Sequence, residues 1–403
     1  MKFLRTASTN RLLAVLAVLV VIVAGGSAIA VAASGSGPVP KPRSLASALH
    51  AALSARAVKG ISANVTFTNN LIDASNIQGS DPLLQGGTGR LWLGEDRLRL
   101  ELQSTNGDAQ IVLDGRSFWV SDPAQRVVYS GTLPAGLAGQ SQKATKQEGV
   151  PTIATIQSDL NKLVKHLNLS GAIPGDVAGQ ATYTVRLTPQ HDGGLLGAAE
   201  VAWDAVRGVP LRVAVYAKGN TTPVLELAAT GISYGSIPAS TFNVYPPAGS
   251  KVVKISTAAI GSAHNKAGRH AHRAEVSGVS AVAAKLPFKL AAPSTLIALP
   301  RQSVKLLDWG GKPAALVTYG KGLGAVAVIE QTAAAYSAPS SSSQSSSGDH
   351  TGFSLPTVSI NGATGTELDT ALGTMVRFSR GGISYTVIGS VPPVAAEKAA
   401  RKL

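Results

Sequence analysis

The 403-residue chain has no cysteine, two methionines, 5% aromatic residues and only 14% charged residues. Without cysteine there can be no disulfide, no thiolate nucleophile, no Cys-ligated zinc or iron–sulfur cluster, and no lipobox sulfur to acylate. A charged fraction well below the roughly 25% of ordinary domains excludes a coiled coil and a charge-driven disordered chain. Enzyme signatures are missing too, with no G-x-S-x-G and no H-E-x-x-H, and no histidine spacing suggests a triad. The run Gly320 to Gly324 is glycine-rich but reads as a hairpin turn, without the helix whose N-terminus would hold a phosphate. Paired carboxylates at Glu95-Asp96, and Asp122, fall in turn-like segments. Asn-x-Ser/Thr at Asn64, Asn168 and Asn220 is expected by chance in a Ser/Thr-rich chain. These absences point to a binding protein, not an enzyme, with no cofactor and no metal. What is present is 44% apolar residues, in a chain long enough for two or three domains.

The net charge of +14 is unevenly spread. Residues 1–43 carry +5, residues 44–250 carry 0, residues 251–293 carry +6 and residues 294–403 carry +3. Nucleic-acid binding needs a concentrated positive face on a folded block, and the largest block is neutral, so no nucleic-acid partner is expected. The basicity of the tail and linker suits an anionic membrane surface or cell-wall polymer.

Lys2, Arg5 and Arg11 precede the uncharged run Leu12 to Ala33, whose 22 residues would span roughly 33 Å as a helix, enough for a bilayer core. Basic flanks stay cytoplasmic, which places all later residues outside the membrane. Val31 and Ala33 before Ser34 also fit a signal-peptidase site, so both a cleaved signal and a retained anchor are open. Residues 34–43 read as a Gly/Pro linker holding the first domain off the membrane.

From Ser44, Leu45, Leu49, Ala52 and Leu53 fall at helical spacing, with Gly60 as a stop. Period two follows: Ile61, Ala63, Val65 and Phe67 alternate with polar residues, as do Leu98, Leu100 and Leu102. Asp114-Gly115 marks a hairpin. Ile153, Ile156, Leu160, Leu163, Val164 and Leu167 make a second helical stripe, and strands resume at 181–188, 199–204, 210–218 and 224–234. The order predicts an α+β fold, one antiparallel sheet with helices on one side.

These residues carry a resemblance. DVAGQATYTVRLTP (176–189), VAWDAVRGVPLRVAVYA (201–217) and GISYGSIPASTFNVYPPAGSKV (231–252) resemble the second half of the LolA and RseB (MucB) superfamily. The upstream helix, strand, GRLWLGEDRLRLEL and DGRSFWVSDPAQRVVY hairpin agree in order. The Pro-Pro pair is followed here by Ala248-Gly249. The resemblance covers residues 44–252 and implies a strongly curved half-barrel sheet covered by helices, enclosing an apolar cavity for lipid or lipoprotein acyl chains. Candidate cavity residues are Trp92, Leu98, Leu100, Leu102, Leu113, Trp119, Tyr183, Val185 and Leu187, with the helix from Ile153 to Leu167 as a lid. The same alternation equally suits an ordinary filled core.

Residues 251–290 form a basic linker with His264, His270 and His272. It reads as a solvated segment, with a pH-dependent contact to anionic lipid as a second possibility. Residues 291–403 form a smaller β-rich domain. It has hairpins Ala314–Tyr319 with Ala325–Gln331 and Met375–Phe378 with Ile383–Ile388, a Ser-rich loop at 337–350 and a terminal helix from Pro393. Its ending resembles small extracytoplasmic domains of anti-sigma-associated and LolA-like proteins. The two-domain order resembles RseB, the periplasmic partner of a membrane anti-sigma factor. The expectations are a non-catalytic lipid or lipoprotein carrier in the bacterial cell envelope or, alternatively, an RseB-like regulatory sensor that binds a membrane protein. An envelope structural module with a filled core is a third.

Overall fold

The computed structural model describes residues 37–72, 85–94, 96–103, 108–122, 126–133, 151–191, 193–255, 276–309, 312–333 and 355–403. The apolar run 12–33, the histidines at 264–272 and the Ser-rich loop 337–350 lie outside the described residues.

The first unit begins with α1 (Leu45–Ser54), capped by the Ser44 hydroxyl, which accepts from the Ser47 N–H at 3.2 Å. Six strands follow: β1 (Ile61–Asn69), β2 (Gly86–Leu93), β3 (Arg97–Leu102), β4 (Ala109–Asp114), β5 (Ser117–Asp122) and β6 (Val127–Thr132). Next come α2 (Ile153–Leu163), β7 (Leu167–Leu169), β8 (Ile173–Val177), β9 (Gln180–Pro189), β10 (Leu196–Asp204), β11 (Pro210–Ala217), β12 (Leu225–Tyr234) and β13 (Lys251–Ile255). They form a 13-stranded sheet in the order β13-β6-β5-β4-β3-β2-β1-β12-β11-β10-β9-β7, with β8 also on β9. Only β13 is parallel to its neighbour, β6.

The sheet curls. Ala178, in the turn after β8, packs against the cluster that Ile61, Ala63 and Val65 of β1 form with Ala229 of β12, although three further strands separate β8 from β12 and four separate it from β1 in hydrogen-bonding order. The face on which they meet is therefore concave, as expected when strand twist accumulates over many strands. A bulge at Asn64/Val65 adds local bend.

The expected helical cover is only partial, and few helices are present. Ala46, Ile156 and Leu160 join α1 to α2, and Ala48 packs with Tyr183 and Trp203, so both helices sit over the β7–β10 wing. The second helix ends at Leu163; Leu167, expected on its stripe, begins β7. On the other wing the chain from Gly235 to Ser250 crosses the convex face. Arg99 Nη1 donates to Thr241 O at 2.7 Å, and the Arg97 guanidinium lies 6.0 Å from the buried Phe242 ring. Val112, Ser121 and Val128 are buried on that same face.

The second unit contains α3 (Val279–Ala283), β14 (Thr295–Leu296), β15 (Leu299–Trp309), β16 (Lys312–Tyr319), β17 (Val326–Thr332), β18 (Thr357–Ile360), β19 (Ala363–Thr370), β20 (Gly373–Arg380), β21 (Ile383–Gly389) and α4 (Pro393–Ala400). Its eight antiparallel strands run β14-β15-β16-β17-β21-β20-β19-β18 around a core that includes Val317, Tyr319, Val328, Phe378, Val387 and Ala396. The stretch read as a linker is occupied at both ends. Lys251–Ile255 completes the first sheet, while Val276, Leu286 and Leu290 pack on the second.

Candidate functional site

Antiparallel register decides which side chains share the concave face. Leu93 pairs with Leu98, Leu98 with Leu113 and Leu113 with Phe118; Leu91 pairs with Leu100, Leu100 with Ile111, Ile111 with Val120 and Val120 with Tyr129. Directly opposed residues point the same way, so the concave face of β3–β6 presents Leu98, Leu100, Ile111, Leu113, Phe118, Val120, Val127 and Tyr129. All eight are half-buried and none is charged. Seven of them, all but Leu100, belong to none of the described core clusters. The neighbouring clusters built on Phe67, Leu102 and Ala109, and on Ile61, Ala63, Val65 and Ala229, contain no helix residue. Among the described residues, this wing is thus a largely apolar surface without a lid, ending at the pair of Val127 with Asp122.

The nine residues singled out in the sequence divide into three groups. Leu98, Leu100 and Leu113 line the open stretch, and Leu102, 1% exposed, lies at its packed end beside Phe67. Tyr183, Val185 and Leu187 share the concave face through pairing with Trp203, Val201 and Ala199. Tyr183 and Val185 pack in the cluster beneath α1, and the Tyr183 hydroxyl donates to Lys41 O at 2.6 Å, so they fill the core there. Trp92 and Trp119 require correction. Trp92 pairs with Arg99 and Trp119 with Val112, which puts both indoles on the convex face. The Arg99 guanidinium lies 5.1 Å from the Trp92 ring, a cation–π contact. Period two fixes alternation within a strand but not which parity faces inward across a hairpin. Ile111, Phe118, Val120, Val127 and Tyr129 were missed, although continuing the β4–β5 hairpin register from Leu113 would have found the first three.

The convex face carries the charge. Arg186 reaches Glu200 at 2.6 Å, Arg212 reaches Glu200 at 2.7 Å and also bonds Glu226, and Tyr216 donates to Glu200 at 2.8 Å. Burial opposes ionisation of Glu200, but its hydrogen bonds from Arg212, Arg186 and Tyr216 outweigh it and hold the carboxyl below the usual range. Among the described residues no group of His, Asp or Glu is arranged to hold a metal ion, and no helix is long and apolar enough to cross a membrane.

The two units meet at one end of the curled sheet. Ala371 and Leu372, in the β19–β20 turn, pack on Val215, Ala217, Val224 and Leu225 together with Leu71. The Ala371 N–H donates to Leu71 O at 2.7 Å, and the Ser390 hydroxyl both donates to Leu372 O at 2.7 Å and accepts from the Leu195 N–H at 2.9 Å.

No family model and no curated protein sequence matches the chain. Solved structures do. The MucA/MucB complex of Pseudomonas aeruginosa is 15% identical, with a TM-score of 0.39, covering 88% of this chain and 95% of that one. A LolA superfamily protein from Nitrosomonas europaea is 12% identical, with a TM-score of 0.21, covering 50% of this chain and 98% of that one. A putative outer membrane lipoprotein-sorting protein domain from Vibrio parahaemolyticus is 11% identical, with a TM-score of 0.20, covering 50% and 96%. The chain is thus similar to a MucA/MucB complex and to LolA-superfamily structures.

Proposed function

We propose that the protein binds an apolar chain, of a lipid or of a lipoprotein's acyl group, on the concave face of β3–β6, outside the cytoplasmic membrane and without transforming it. The observation that carries this reading is the set of eight uncharged, half-buried side chains, seven of them outside every described core cluster. Each methylene removed from water contributes about 0.8 kcal/mol, and a bent apolar surface collects that gain along the length of an acyl chain. The convex face, with its Arg/Glu ladder, offers nothing comparable. Purification of the full chain from its own envelope, organic extraction and mass spectrometry should return a stoichiometric lipid. Lipid-free protein that also fails to take up a fluorescent fatty acid would refute the reading.

A second reading, a sensor that contacts a membrane protein through its smaller unit, is supported by a cleft of about 410 Å³ lined by Lys289, Leu290, Arg380, Ile383, Tyr385 and Lys402. Its test is loss of a co-purifying membrane protein on reversing Lys289 and Lys402 to Glu.

A further inference from the structure

We propose that the end of the first sheet bearing the β8–β9 and β10–β11 turns lies against an anionic membrane surface, so that the open apolar face is loaded lengthwise from the bilayer that holds the chain. The loading clause rests on the lipid-binding reading; the orientation does not.

The argument starts from the segment before α1, which the sequence suggested as a free spacer. It is docked. Gly37 lies against Asp176 of β8 so closely that a Cβ there would sit 2.0 Å from the carboxylate Oδ2, and Lys41 O accepts the Tyr183 hydroxyl at 2.6 Å. Only three residues separate Gly37 from Ala33, the last of the 22-residue apolar run, and the four steps between them reach at most about 14 Å. A chain whose run stays in the bilayer therefore cannot swing this end of the sheet far from the membrane surface.

The same end has the character such a contact needs. Val39 is 62% exposed, and Val206, in the β10–β11 turn, is 73% exposed. The α1 C-terminal turn adjoins that loop, with Gly208 packed on Ala52. Arg56 and Lys59 follow it, and Arg116 projects from the β4–β5 turn. Arg56 and Lys59 are exposed and not ion-paired among the described residues, while the exposed Arg116 donates to Leu133 O at 2.9 and 2.7 Å, and the exposed Asp96 and Asp114 lie at the same end. Apolar tips flanked by the exposed Arg56 and Lys59 fit an anionic lipid surface, where each Lys or Arg near the surface contributes about 1 kcal/mol.

The open face points the same way. The register places Leu93, Leu98, Leu113 and Phe118 at the Ile61 and Tyr234 end of the sheet, together with the Ala178 turn. The opposite end, at Asn69, Leu225 and Val215, is the one on which Ala371 and Leu372 of the second unit pack. An acyl chain entering from the bilayer thus meets the Leu98 to Phe118 row first, and the second unit lies distal.

The absence of cysteine permits clean single-site labelling. Full-length Val206→Cys and Ser379→Cys, each carrying an environment-sensitive fluorophore, are reconstituted into phosphatidylcholine/phosphatidylglycerol vesicles containing a nitroxide-headgroup lipid. Ser379 is exposed one residue before the β20 end remote from the first sheet. Quenching several-fold stronger at position 206 than at 379 is expected. Equal quenching, stronger quenching at 379, or failure of the full chain to float with the vesicles would overturn the orientation. Lipid extraction from the same preparations separates the two claims, because a lipid-free protein still quenched at 206 removes only the binding reading.

Discussion

The Tyr234 hydroxyl donates to Asp204 Oδ2 at 2.6 Å, joining the ends of β12 and β10 across the intervening β11. Asp204, 1% exposed, also accepts the backbone N–H groups of Val206 and Arg207 at 2.8 and 2.9 Å, and Arg207 stacks 4.2 Å from the Tyr234 ring. Burial raises the cost of charging this carboxyl, yet the bonds from Tyr234, Arg207 and Val206 hold it below the ordinary range. A depressed acid stabilises the fold above its unfolded pKa and loses that contribution as pH falls through the folded value. Tyr234→Phe should cost about 1.5–3 kcal/mol near neutral pH, and Asp204→Asn should flatten the acid limb of stability. Denaturant melts from pH 7 down to the acid transition measure both.

Glu330 behaves in the opposite sense. Its carboxylate is fully buried on β17 and accepts the N–H groups of Ala291 and Ala292 at 2.8 and 3.2 Å, pinning the entry segment to the second sheet. Burial pushes its pKa up despite those bonds. A raised acid favours the folded state below its unfolded pKa, and that advantage fades as pH rises through the folded value. Glu330→Gln should flatten this dependence of the second unit and speed hydrogen exchange at Ala291 or Ala292, since an amide oxygen replaces only one of the two acceptors.

On the open face, Ile111→Arg or Val120→Arg should abolish lipid retention with little loss of stability, because neither side chain belongs to a packed cluster of described residues. Phe67→Ala, at 1% exposure between β2 and β12, should instead cost about 3–5 kcal/mol. Paired melts and lipid analysis of the variants check this contrast, and unfolding by Ile111→Arg would mean that the face is core.

At the seam between the units, Gly194 adopts φ +60°, and a Cβ there would lie 2.5 Å from Ser390 O. Gly194→Ala therefore combines backbone strain with a collision against main chain. It should loosen the contact, read as faster exchange of the Leu195 and Ala371 amides while the core amides of β17 and β21 remain protected.

On the convex face, Arg212→Ala takes from Glu226, 1% exposed, its bond to the Arg212 guanidinium and leaves Glu200 with Arg186 and the Tyr216 hydroxyl. Breaking this buried Arg212–Glu226 pair should cost about 3–5 kcal/mol, measured by urea denaturation.

Local chemistry alone determined much of this molecule. The Ser44 cap and Leu45/Leu49/Leu53 spacing specified α1, alternation specified β1 and β3, and Asp114-Gly115 specified the β4–β5 hairpin, because each depends on neighbours a few residues apart. Composition removed thiol and disulfide chemistry outright. Tertiary structure decided the rest. Trp92 and Leu98 look alike as apolar strand residues, and only the pairing of Trp92 with Arg99 sends one to the charged convex face and the other to the open concave one. The helix stripe of Ile156 and Leu160 declared a covered surface without saying which wing it covers, and curvature gave it to β7–β10, leaving β3–β6 apolar and uncovered by any described helix. Periodicity records that a side is buried; register, curl and the path of the chain, set in part by contacts more than 100 residues apart, choose what lies on it.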